Sequence, residues 1–334
     1  MGVNLRELVL KHKIELADLK GKKIAVDTFN ILYQFLATIR QQDGSLLKDS
    51  RGGVTSHLSG LFYRTINLME AGVLPCFVFD GRPPEEKFLV AEARAAVKEE
   101  AQIKYEAALA KGDLEEARKY AQQTSRLTGE MISESKELLG AMGLPWVQAI
   151  SEGEAQAAYM CARGHVWAAA SQDYDSLLFG AARLVRNLTI SARKKVAGTL
   201  NYQKTEMELI DLSETLNFLQ LDIKGFVRLA LLIGTDYNPG GVSGVGPKTA
   251  IKIVKEGKFD EYKDKIPNYE KIKNLFLRPL TTSDYALEWK TPNADKIKEI
   301  LVGRHDFKED RIDSALKRIA GKEEERKQKG LGEF

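Results

Sequence analysis

Four short apolar runs along the chain share one feature: each is followed at once or closely by an acid. KKIAV leads into Asp27, LPCFVF into Asp80, LPWVQA into Ser151-Glu152, and HVWAAASQ into Asp173. Short apolar runs of this kind predict strands. Stretches of helical period separate them, so the pattern is repeated βα. That predicts an α/β fold with a mainly parallel central sheet flanked by helices. In such sheets ligands bind outside the carboxyl ends of the strands, and all four runs place a carboxylate there.

The pattern between Asp80 and Asp173 is longer than a crossover needs. Residues 85–110 are strong helix formers, Gly112-Asp113 breaks the pattern, and a second helical stretch runs from 114 to 142 with an interruption at Thr128-Gly129. This predicts a helical insertion above the acidic edge. After about residue 220 the chain is mostly helical, with a Gly-rich interruption at 240–246. From Ala320 the charged stretch AGKEEERKQKGLGEF reads as a flexible tail. The division expected is a single domain over 1–318, made of parts 1–81, 82–130 (the insertion), 131–220 and 221–285, with a tail at 319–334.

Composition adds little until charge is located. The chain has 334 residues, 43% hydrophobic and 29% charged, as in an ordinary globular protein. No apolar run approaches the roughly 18 residues of a membrane span, and the N-terminus lacks a signal-peptide core. The two cysteines, Cys76 and Cys161, sit in apolar surroundings and read as reduced thiols of an intracellular protein. The four histidines are scattered, and the sequence shows no His/Cys zinc pattern. Net charge is only +3, yet Arg183, Arg186, Arg193, Lys194, Lys195 and Lys204 fall in one stretch without an acid. A second basic stretch starts at Lys248. Basic runs suit a polyanion, and acidic clusters suit metal ions.

The acids themselves are Asp27, Asp80, Glu152, Glu154, Asp173, Asp175 and Asp236. Taken singly, each has a structural reading. Asp27 and Asp80 suit helix caps or turns, Ser151-x-x-Glu154 is a capping box, Asp173 and Asp175 suit a turn, and Asp236 opens one after LALLIGT. Together they are costly: two like charges about 4 Å apart repel by about 4 kcal/mol at an effective dielectric near 20. Hard oxygen donors in such number suit Mg²⁺, and a pair of ions suits in-line displacement at phosphorus.

The strings VDTFNILYQFL, TSHLSGLFYRT, FDGRPPEEK, SEGEAQAAYM, SQDYDSLLFG and LIGTDYNPGGVSGVGPKTA resemble those of the flap endonuclease family, structure-specific 5′ nucleases related to the XPG repair protein. The resemblance runs from Met1 to about Arg318 and is closest to archaeal members. It implies a PIN/5′-nuclease-like fold with a helical arch and a helix–two-turn–helix DNA-binding region. It implies that the seven acids serve two Mg²⁺ ions, with Mn²⁺ able to substitute. The activity implied is two-metal-ion hydrolysis of DNA at 5′-flap junctions, with 5′–3′ exonuclease activity, in Okazaki fragment maturation and long-patch base excision repair.

The resemblance also implies residue roles. Lys87 and Arg94, seven apart and so on one helix face, with Lys98 continuing it, would meet the scissile phosphate. Tyr33 would stack on a base. The hairpin Gly240–Gly246, with Gly244, Gly246, Lys248 and Lys252, would grip duplex phosphates, and its carbonyls would hold K⁺. Gly2, Arg64, Arg186, Arg193, Lys194 and Lys195 are further DNA candidates. Gln328, Leu331 and Phe334 match the start of a sliding-clamp (PCNA) binding motif, with only one of its two aromatics. A monomer associated with the chromosome, in cytoplasm or nucleoid if archaeal and in the nucleus if eukaryotic, is the form expected. Two alternatives stay open: a related 5′ exonuclease or junction resolvase, and a non-catalytic protein that binds DNA structures or recruits a clamp.

Overall fold

The computed structural model describes residues 2–189, 193–195 and 202–331; for Leu89, Ala91, Arg94 and residues 193–195, 202–204 and 322–331 only the backbone is described. The strands are β1 (His12–Ile14), β2 (Lys23–Asp27), β3 (Leu74–Phe79), β4 (Trp146–Gln148), β5 (Ala168–Ala170), β6 (Arg183–Arg186), β7 (Arg193–Lys195), β8 (Tyr202–Lys204) and β9 (Met207–Asp211). Seven of them form one sheet in the order β1-β9-β6-β5-β2-β3-β4, and β7 pairs with β8 in a separate ribbon. The run β6-β5-β2-β3-β4 is parallel throughout, while β9 lies antiparallel to both β6 and β1. All four predicted strands are present, and they are four consecutive neighbours: β5, β2, β3 and β4.

Alternation along the strands builds two cores. Ala25, Cys76, Val78, Val147 and Ala169 face one side; Ile24, Val26, Phe77, Phe79, Ala168 and Ala170 face the other. The first side is covered by α6 (Gly153–Ala162), α7 (Asp175–Leu178) and α9 (Ile223–Ile233), and the second by α1 (Thr28–Thr38), α2 (Ser56–Glu70), α5 (Gly129–Ala141), α12 (Ala294–Lys298) and α13 (Glu309–Leu331). The remaining helices are α3 (Phe88–Ala110), α4 (Leu114–Ala121), α8 (Leu212–Leu219), α10 (Pro247–Lys255) and α11 (Tyr269–Leu277).

The predicted insertion is α3 followed by α4, which pack on one another. The second helical stretch is interrupted where expected, though more widely: it unwinds over 122–128 and resumes at Gly129 as α5, whose Leu138 and Leu139 belong to the core. Where a flexible tail is expected, the backbone is helical as far as Leu331. Glu, Lys, Arg and Gln are good helix formers, and Glu323/Lys327 and Glu325/Lys329 stand at the favourable four-residue spacing. Phe334 lies outside the described residues.

Candidate metal centre and nucleic-acid interface

The parallel strands end at one edge, and neighbouring strands are only about 4.8 Å apart, so acids at their ends converge. Asp27 closes β2 and caps α1, accepting from the Asn30 N–H at 3.1 Å. Asp80 follows β3 and accepts from the Gly153 N–H at 2.6 Å, at the first turn of α6. A Cβ on Gly153 would stand 2.7 Å from that same Asp80 oxygen, so only glycine allows the approach. Helix termini therefore satisfy one oxygen on each of these acids.

Ser171, at the end of β5, stands 3.3 Å from Asp27 Oδ2 and 2.7 Å from Glu154 Oε1. One hydroxyl has one proton to donate, so Ser171 serves Glu154 at the shorter distance and leaves Asp27 the weaker contact. The capping-box reading of Ser151 and Glu154 is corrected here. Glu152, not Ser151, caps α6 without a side-chain bond, and Glu154 turns inward to Ser171 because the site is buried there. Asp173 accepts from the Gly2 N–H at 3.1 Å and the Asn30 amide at 3.2 Å; Asp175 accepts from the Val3 N–H at 2.8 Å. The N-terminal segment thus lies directly on the acids, and a Cβ at Gly2 would come within 2.7 Å of Asp175 Oδ1.

Asp236 arrives from the other direction. It sits in a turn after α9 that Asn238 holds by accepting from Thr235 and donating to the Leu231 carbonyl at 2.7 Å. Lys87 pairs with Glu152 and lies 3.8 Å from Asp236, and the Tyr237 hydroxyl donates to Glu152.

Burial drives the electrostatics. It lifts Asp27 to about 8, helped by repulsion from Asp80, and Asp175 to about 7, helped by Asp236 and Asp173. Burial also raises Asp80, and raises Glu154 well above the usual range with Asp175 and Asp27 adding to it. Glu152 is raised too, because its burial outweighs the attraction of Lys87. Burial works against the charge of Lys87, but Glu152 and Asp236 more than offset it and hold the ammonium on. Among the described residues no group of three His, Cys, Asp or Glu is already closed to metal-ligand spacing. The donor set nevertheless fits divalent cations. It is all hard oxygen, and protons and one lysine stand in for the positive charge that the cluster needs.

The other sequence candidates divide. Tyr33 is 38% exposed and lines a cleft of about 820 Å³ together with Phe29, Asp80, Lys87, Lys98 and Glu152, so it is not a core aromatic. Lys98 lies over its ring at 4.9 Å. Arg94 lies on α3, whose N-cap is Lys87, with its side chain outside the described residues. Arg64 lines a separate pocket with Lys13, Asn67 and Asn187. Arg186 is committed to the protein: it donates to the Gln172 carbonyl, the Tyr174 hydroxyl and Glu208, and stacks on Tyr174 at 4.1 Å. It braces the loop that carries Asp173 and Asp175.

Gly246 caps α10 with Pro247 as its first residue, and Lys248 and Lys252 are exposed on it. Gly244 takes φ +78° in the preceding turn. Arg193, Lys194 and Lys195 form β7, with side chains outside the described residues, as are those of Gln328 and Leu331. Ser171, Asn30 and Tyr237 were not singled out from sequence, although they stand inside the strings SQD, DTFN and TDYN that flank the acids.

The fold and its acidic edge are those of the XPG class. The XPG N-terminal domain model matches residues 1–101, and the XPG I-region model matches residues 143–236. Flap endonuclease 1 of Pyrococcus abyssi is 54% identical over 324 residues, covering 96% of this chain and 94% of that protein. The solved flap endonuclease-1 from Methanococcus jannaschii is 43% identical, with TM-score 0.77, covering 95% of this chain and 98% of that one. The catalytic core of Rad2 in complex with DNA substrate is 25% identical, with TM-score 0.70 over 96% of this chain and all of that one. The chain belongs to the flap endonuclease family.

Proposed function

We propose that the chain is a structure-specific 5′ nuclease that cuts DNA where a 5′ flap leaves a duplex, with 5′–3′ exonuclease activity, in Okazaki fragment maturation and long-patch repair. The observation that carries this is the convergence of seven carboxylates at one sheet edge beneath a helical insertion that contributes Lys87. A protein that only bound a polyanion would gain nothing from that negative charge. The seven acids would hold two Mg²⁺ ions. When bound, these supply positive charge to a phosphodiester and to the water that attacks it.

The chain's own groups do the rest. Lys87, at the root of α3, carries positive charge to the scissile phosphate, and Arg94, seven residues on, would add to it. Tyr33 offers its face to a base in the cleft, and Lys98 its charge to the strand. Lys248 and Lys252, with the amides of the Gly244–Gly246 turn, hold the duplex phosphates away from the cut; the carbonyls of the Gly240–Gly246 hairpin would hold K⁺. Gly2 lies close enough to the acids for the N-terminus to meet the same DNA. Gln328, Leu331 and Phe334 would bind a sliding clamp. Among the described residues no helix is long and apolar enough to cross a membrane.

Asp175→Asn tests the proposal. It should reduce cleavage of a 5′-flap oligonucleotide in Mg²⁺ to background while leaving binding of that oligonucleotide intact. Turnover near wild type would refute it.

A further inference from the structure

The carboxylates at one end of the site already hold a cation, and it belongs to the protein. The Lys87 ammonium is paired with Glu152 and lies 3.8 Å from Asp236. The three side chains are 22%, 13% and 11% exposed, so this is not a hydrated surface pair of negligible strength. The ammonium has a built seat. The ring of Tyr237 lies 5.2 Å below it, and the hydroxyl of the same tyrosine donates to Glu152. Tyr237 is itself anchored edge-on against Phe276, a fully buried side chain. Lys87 ends the 3₁₀ turn Glu85–Lys87 and leads directly into α3. Its side chain therefore ties the root of the insertion to the acidic edge.

An ammonium and a divalent cation compete for the same carboxylates. We infer that Lys87 is the resting counter-ion of Glu152 and Asp236, seated on Tyr237, and that it leaves this seat when those carboxylates take up divalent cations, freeing the root of α3. This rests on the reading of the seven acids as cation donors. The coupling is reciprocal. What holds Lys87 in its seat weakens cation binding, and a phosphate that draws Lys87 out strengthens it. Cation loading and the arrangement of the insertion are then linked through one side chain.

The test uses the whole chain without DNA, with Mn²⁺ as the probe. Calorimetry measures its affinity, and hydrogen exchange follows the amides of residues 86–90. In the wild type, Mn²⁺ should raise exchange over 86–90. Lys87→Ala should bind Mn²⁺ roughly tenfold tighter, as expected from removing a unit charge a few ångströms away. Its 86–90 amides should exchange fast with or without the ion. Unchanged affinity in Lys87→Ala overturns the inference. So does tighter binding alongside Mn²⁺-insensitive exchange in the wild type, which reports only a lost charge without linkage; that arm needs no variant. If neither protein binds Mn²⁺, the reading of the acids as cation donors fails, and the inference falls with it.

Discussion

At the scale of single residues, the site depends on groups that never face a substrate. Arg186 illustrates this. Its guanidinium is spent on Glu208 and on Gln172 and Tyr174, the residues on either side of Asp173. Arg186→Met should therefore lower cleavage and metal affinity while leaving DNA affinity near wild type. It should also cost about 1–3 kcal/mol of stability by leaving Glu208 and the Tyr174 hydroxyl without their partner. A variant that lost DNA affinity at unchanged turnover would restore Arg186 as a DNA contact. From sequence, Arg186 is one of six bases in an acid-free stretch, and nothing there distinguishes a brace from a phosphate ligand. The reverse holds for Glu154. Its local spacing from Ser151 suits a cap, and only the arrival of Ser171 from another strand turns it inward.

At the scale of elements, the turns after β3 and β4 decide whether the acids meet. Gly81 follows Asp80 and donates to the Ser151 carbonyl at 2.6 Å, so it joins the two strand ends. A Cβ there would stand 2.3 Å from the carbonyl oxygens of Ala149 and Ile150. Gly81→Ala should cost about 1–3 kcal/mol in thermal or denaturant unfolding. It should also depress cleavage, because Asp80 moves away from Glu152. Helix α10 makes a separate prediction. Replacing Lys248 and Lys252 by alanine should weaken duplex binding alike for all sequences, and should reduce the slope of log affinity against log salt by about 2. An unchanged slope would remove them from the interface. The strands that carry acids were legible because each apolar run is followed at once or within a few residues by its carboxylate. The seam at 122–128 was legible only at its end, where Thr128 caps α5; Thr124 and Ser125 weaken the helix before it, but nothing in the pattern marks where α4 stops.

At the scale of the whole molecule, the acidic edge makes stability depend on pH in an unusual direction. Asp27 at about 8 and Asp175 at about 7 stand above the ordinary 3.8, so the metal-free folded chain holds more protons than the unfolded chain between those values. Stability without metal should therefore fall as pH rises through that window and level off above about 8. Melting in chelator from about pH 5 to pH 8.5 would show this decline, and Mg²⁺ should remove most of it. A melting temperature that rose with pH in chelator would contradict the protonation pattern. By itself the sequence determined the parallel sheet, the acidic ends of its strands, the helical insertion and the family, because strand period and ordered motifs are properties of neighbours along the chain. Only the tertiary structure decided that Asp236 reaches Lys87, that Ser171 and Asn30 hold the acids, that Tyr237 seats Lys87, and that Arg186 is bonded to Gln172, Tyr174 and Glu208. Those pairings join residues from about 10 to more than 140 positions apart, and burial, which no local pattern encodes, sets which protons and partners they keep.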